Sequence, residues 1–157
     1  MESPRKWMES AIATAVQGIE AGQTPFGTAI VRDGRLVTAA HNTVWQDCDP
    51  TAHAEVNAIR KATQALKTIN LAGCTLFSTC EPCPMCLTAI HWAKIDRVFF
   101  GATIADAEGA GFHELRLSAR DMVIQGGSPL KVESGLLEKE CRELFTLFKK
   151  MGKAKIY

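Results

Sequence analysis

The chain has almost no net charge: 18 Lys and Arg stand against 17 Asp and Glu, a balance of +1. That excludes a broad electrostatic glove for nucleic acid and leaves room only for a local basic patch. No apolar run approaches the length of a bilayer span, so no membrane partner is expected. No internal repeat, low-complexity tract or Pro/Ser-rich linker divides the 157 residues. Residues 1–157 therefore read as one domain, long enough to bury a core. Charged residues make up 22% and hydrophobics 46%, which is too apolar for a disordered chain. Met1-Glu2-Ser3-Pro4-Arg5-Lys6 has no apolar stretch of the secretory type behind it, so a cytoplasmic location is expected. What is present instead is cysteine. In a reducing compartment, 6 cysteines point to metal or catalytic chemistry more than to disulfides.

Hydrophobic periodicity places a helix over Met8 to Ala21, stopped by Gly22, and a second over Thr51 to Leu66. Gly27–Val31 and Leu36–Ala40 read as strands joined by an Asp33-Gly34 hairpin turn. Asn42 to Pro50 reads as a loop. Cys74–Thr79 and Arg97–Gly101 read as strands, with a helix from about Pro82 to Ala93 between them. Ala105 to Arg120 is mixed, Gly126-Gly127 is a hinge or turn, Leu130–Val132 is a fifth strand, and Leu136–Lys150 a final amphipathic helix. Strands alternating with helices after a hairpin predict an α/β fold: a mixed sheet with helices on both faces.

Two segments carry chemistry: Thr51-Ala52-His53-Ala54-Glu55 and Cys80-Glu81-Pro82-Cys83-Pro84-Met85-Cys86. Cys83 and Cys86 share one face at the start of a helix, whose N-terminal partial charge favours thiolates. Pro84 costs little in a first turn. His53 supplies a third donor. A Cys₂His zinc site leaves a position for water, which is the catalytic arrangement, and zinc lowers the pKa of that water from 15.7 to about 7. Hydroxide is then available at neutral pH. Glu55, two residues on, is poorly placed as a ligand and well placed as the proton shuttle. A structural zinc module would close all four positions and have no use for Glu55.

This pair is the H-x-E…P-C-x-x-C signature of zinc nucleobase deaminases. Through Pro25-Phe26-Gly27, Asn42, Asp49 to Glu55, Cys80 to Cys86, Trp92, Ala110-Gly111-Phe112 and Tyr157, the chain resembles the cytidine-deaminase-like superfamily. Within it, the chain looks most like the guanine and nucleoside deaminase branch. The resemblance implies a three-layer α/β/α fold around a five-stranded mixed sheet, one Zn²⁺ per subunit, and hydrolytic release of ammonia. It implies His53, Cys83 and Cys86 as metal ligands and Glu55 as the catalytic residue. Phe26, Asn42, Ala54, Trp92, Glu114 and Tyr157 become substrate contacts, with Phe26 on the ring, Trp92 as a wall and Tyr157 closing the site. A homodimer is implied, in which the segment after about residue 126 is exchanged.

Two departures from the branch leave the purine open. His113-Glu114 replaces acidic Asp residues, and Gln23-Thr24 replaces Gly-Gly. Glu114 keeps a carboxylate that can accept from the N–H donors of guanine. The expected reaction is guanine to xanthine plus ammonia on a small-molecule purine. Guanosine is the neighbouring alternative, followed by adenosine in tRNA and by cytosine. The small net charge weighs against nucleic acid; Lys149, Lys150, Lys153 and Lys155 weigh for it. Cys48, Cys74, Cys80 and Cys141 read as packing, Glu81 as a surface residue or loop brace, His41 as a packed or capping histidine, and His91 as core or interface.

Overall fold

The computed structural model describes residues 3–151 and 155–157. Met1, Glu2 and Lys153 lie outside the described residues. The first helix, α1 (Pro4–Glu20), starts ahead of its apolar stripe because capping sets its beginning. The Ser3 hydroxyl accepts from the Arg5 N–H at 3.3 Å, and Pro4 fills a first-turn position that has no donor to lose. The hairpin of β1 (Gly27–Arg32) and β2 (Arg35–His41) turns at Asp33 and Gly34, whose φ angles of 50° and 69° make the left-handed pair of a type I′ turn.

The stretch expected to be a loop contains a single helical turn, α2 (Val44–Asp47). Asn42 starts it, because its Oδ1 accepts the Val44 N–H at 3.1 Å. Then follow α3 (Ala54–Leu66), β3 (Cys74–Cys80), α4 (Pro84–Trp92) and β4 (Arg97–Ala102). The segment read as mixed resolves into α5 (Ile104–Gly109), opened by a Thr103/Asp106 capping box, and α6 (Ala119–Gly126), opened by Ser118. The chain ends in β5 (Lys131–Glu133) and α7 (Glu138–Met151).

The five strands form one sheet in the order β2-β1-β3-β4-β5. β1 runs antiparallel to β2 and β3, while β3, β4 and β5 are parallel. The mixed five-stranded sheet is as expected. Alternation along the strands feeds two cores. Ala29, Val31 and Phe77 face α1 and α7; Ile30, Leu76 and Val98 face α3, α4 and α6. Helices on both faces make three layers. Gly127 ends α6 with a left-handed φ of 63°, and the segment beyond it pairs with β4 of its own chain.

Two glycines let helices come close to the sheet. A Cβ at Gly101 would sit 2.2 Å from the Cys141 Sγ on α7. At Gly27 it would sit 2.2 Å from the Ala11 carbonyl and 2.7 Å from the Ala15 nitrogen, backbone atoms of α1 that cannot step aside. Gly27→Ala should therefore destabilise the fold by about 1–3 kcal/mol and lower Tm by roughly 2–12 °C. Gly126→Ala, where a Cβ meets nothing within 4 Å, should leave Tm unchanged or raise it; thermal unfolding of both variants checks this.

Candidate metal centre and active site

The sheet delivers two helix N-termini to one place. Asp49 shapes the approach to α3: its Oδ1 accepts from the Thr51 N–H at 2.8 Å and from the Thr51 hydroxyl at 2.7 Å. These bonds, and then the nearby Arg60 guanidinium, hold its carboxyl below the usual carboxylate range. Asn57 ties the same loop down by donating to the carbonyls of His41 and Ala52 at 3.0 and 3.2 Å. His53 then takes the N-cap position of α3, and Cys83 the N-cap position of α4. Neither side chain caps its own helix. They turn toward each other instead.

His53 Nδ1 lies 3.7 Å from Cys83 Sγ and 3.5 Å from Cys86 Sγ. All three donor atoms lie within 4.8 Å of one another. The Cys83 thiol is pulled down to about 4, chiefly by the hydrogen bond from Cys86, with His53 adding to it against the cost of burial. Cys86 is pushed well above the ordinary thiol range by the same bond and by burial. The two sulfurs thus share one proton, a thiolate beside a thiol. Burial works to lower the His53 pKa, but the Cys83 bond and the Glu55 charge outweigh it and raise it. One imidazole and two sulfurs fit zinc, and three protein donors match a site with an open position.

Glu55, only 6% exposed, reaches the same point from the first turn of α3. Its Oε1 accepts from the Ser78 hydroxyl at 3.1 Å, and burial raises its pKa. A cleft of about 280 Å³ opens over the cluster, and its walls include Phe26, Asn42, His53, Glu55, Cys83, Phe112, Glu114 and Tyr157. The Phe26 ring stands edge-on to Phe112 at 5.0 Å. Asn42 is 1% exposed; Oδ1 serves the α2 turn while Nδ2 donates to the Tyr157 hydroxyl at 2.6 Å. Burial, and then the Cys83 charge, raises Glu114 to about 7. Burial pushes Tyr157 up to about 12.

Two expected contacts lie elsewhere. Trp92 ends α4, is 76% exposed, and lines a separate hollow with Lys94, Ser128 and Lys131. It is not a wall of this cleft within the chain, because the helix carries it away from the Cys83 end. Ala54 is fully buried and its side chain does not line the cleft. Cys48 corrects the packing assignment: it is exposed, at the left-handed end of α2. Cys80 is buried yet lines the cleft outside the ligand cluster, its thiol directed at the Thr103 carbonyl. Glu81 is a loop brace, accepting the N–H groups of Ile104 and Ala119 at 3.1 and 2.9 Å. His41 Nδ1 bonds the Asn42 carbonyl at 2.8 Å, and the exposed His91 bonds the Ser128 hydroxyl at 2.7 Å. Ser78 and Thr24 were not foreseen; a serine within an apolar strand is the one sequence signal that marks Ser78.

A three-layer α/β/α fold with a Cys₂His cluster and a buried glutamate beside it defines a zinc-dependent deaminase. Residues 1–102 match the family of the cytidine and deoxycytidylate deaminase zinc-binding region, and the chain belongs to that family. It is 47% identical over 109 residues to the guanine deaminase of Bacillus subtilis strain 168, spanning 69% of this chain and 70% of that protein. It is 34% identical over 148 residues to the tRNA-specific adenosine deaminase of the same organism, spanning 94% of this chain and 89% of that protein. The solved guanine deaminase of Nitrosomonas europaea superposes with a TM-score of 0.87 at 26% identity, over 96% of this chain and 86% of that one. The family is one of hydrolases acting on C–N bonds.

Metal loading should release a proton, because zinc takes both sulfurs as thiolates while Cys86 otherwise keeps its hydrogen. Zinc affinity should therefore weaken as pH falls. Cys86→Ala and His53→Ala should each lose stoichiometric zinc, as metal analysis after dialysis against a weak chelator would reveal.

Proposed function

We propose that the chain hydrolyses the exocyclic amine of a purine base, guanine to xanthine and ammonia, with guanosine the neighbouring substrate. The observation that carries this reading is Glu114, a carboxyl facing the same small cleft as Glu55 and the cluster. A volume of about 280 Å³ lies at the small end of ligand sites and suits a single base. Phe26 and Phe112 offer aromatic walls, Asn42 an amide, and Glu114 an acceptor for the N–H donors of guanine.

Zinc held by His53, Cys83 and Cys86 supplies Lewis acidity that lowers the pKa of a water from 15.7 to about 7. Glu55 moves the protons. The bond from Ser78 fixes its carboxyl, and its raised pKa suits a group that must both take and give a proton. It accepts a proton from water as the C2–O bond forms and delivers it to the ring nitrogen. It then passes a second to the amine as the C2–N bond breaks and ammonia leaves. Glu55→Gln should lower kcat by about 10²–10⁴-fold with zinc still bound, measured by ammonia release and metal content together. Retained turnover would overturn the shuttle.

One observation favours a second reading, adenosine in tRNA. The tRNA-specific deaminase aligns over 94% of the chain, against 69% for the guanine deaminase. Ammonia release from guanine, guanosine, adenine, adenosine, cytosine, cytidine and tRNA separates them. Guanine is expected to lead. For guanine, kcat/KM should rise as pH passes through about 7, where Glu114 ionises and becomes a full acceptor. Glu114→Gln should remove that rise and cost about 10- to 100-fold. Activity on tRNA alone would overturn the free-base reading.

A further inference from the structure

We propose that Trp45 is a positioning residue: its indole N–H grips the C-terminal strand and sets how firmly Tyr157 covers the cleft. The inference rests on reading that cleft as the deaminase site. Trp45 is 45% exposed on the one-turn helix α2, so core packing does not account for it. Its Nε1–H donates to the Lys155 carbonyl at 2.8 Å, and its ring stands edge-on to Tyr157 at 6.3 Å.

Tyr157 is held at its inner end by a different set of groups. Its hydroxyl accepts from Asn42 at 2.6 Å and lies 3.4 Å from the Thr24 hydroxyl. Its ring sits 6.0 Å from the His53 ring and 5.9 Å from Phe112. These inner contacts belong to the cleft itself. A ligand that uses Asn42 or stacks near His53 has to loosen them. The Trp45 bond is outside the cleft and can persist while they break.

The space for such a movement is present. The Tyr157 ring separates the cleft from a hollow of about 290 Å³ whose walls are Val44, Trp45, Cys48, Asp49 and Pro50. With Lys155 gripped, the ring can swing from cleft to hollow without the strand departing. Trp45 is the pivot of that swing. Without its donor, opening the cleft means releasing the whole strand, and covering it again means reordering that strand.

Tyr157 is the only tyrosine, so 3-fluorotyrosine labelling gives a single fluorine-19 resonance from the covering residue. Trp45→Phe keeps a ring and removes the donor. In the zinc-loaded full chain, its solvent-exposed population should rise about two- to tenfold, the range of one net hydrogen bond. Zinc withdrawal by an excess of chelator should accelerate by a similar factor. KM on the substrate that is turned over should rise in step, with kcat within twofold and Tm unchanged. An unshifted resonance with an unchanged withdrawal rate overturns the proposal, as does a KM rise that merely follows a fall in Tm. If none of the amino-heterocycles is turned over, the purine reading fails, while the resonance and the withdrawal rate still decide the grip of Trp45.

Discussion

His53 and Cys83 occupy the N-caps of two helices and leave both helices uncapped by a side chain. An N-cap side chain that serves its own helix contributes about 0.5–2 kcal/mol, and here that contribution is forgone twice. What the chain gains is two donor atoms fixed in extended backbone at the positive ends of two helix dipoles, a setting that favours anionic sulfur. Everything else near the site serves this convergence. Asp49 and Asn57 shape the loop before α3, Glu81 braces the loop before α4, and Gly27 lets the sheet come close to α1.

The shared proton of Cys83 and Cys86 follows from the same geometry. Two thiols brought together in a half-enclosed site cannot both ionise cheaply, so one becomes a thiolate at the expense of the other. A divalent ion removes that conflict, because it neutralises both sulfurs at once. Glu55 and Glu114 sit beside the same charge, and burial drives both carboxyls upward, with the Cys83 charge adding to it. The metal cluster and the acid groups therefore form one electrostatic unit.

What was legible in the sequence was local. His53 and Glu55 are two residues apart, Cys83 and Cys86 three, and both pairs open helices, so spacing alone brings each pair together. The sheet followed from strand alternation and the hairpin from Asp33-Gly34. What was not legible depends on distance along the chain or on where a helix points. Ser78 meets Glu55 across 23 residues and Thr24 meets Tyr157 across 133. Trp92 lies only a few residues past Cys86, yet the helix carries it to another face. Asn42 had two competing readings, turn cap and cleft group. Both hold, because an amide has two ends and each end faces a different task.

The family match ends at residue 102, and that boundary divides the site by task. His53, Glu55, Cys83 and Cys86 lie within it and supply the hydrolytic chemistry. Phe112, Glu114 and Tyr157 lie beyond it and line the other side of the cleft. Those later residues are carried by α5, by the loop after it, and by a strand returning from the far end of the chain. The half that performs hydrolysis is thus built from the sheet and its two helix N-termini, which tolerate little change. The half that would select the base hangs from loops, where a single side chain can change without disturbing the core. A guanine deaminase and a tRNA adenosine deaminase can therefore both be relatives of this chain. The physical difference between them is to be sought in Glu114 and in the hold on Tyr157, not in the zinc ligands.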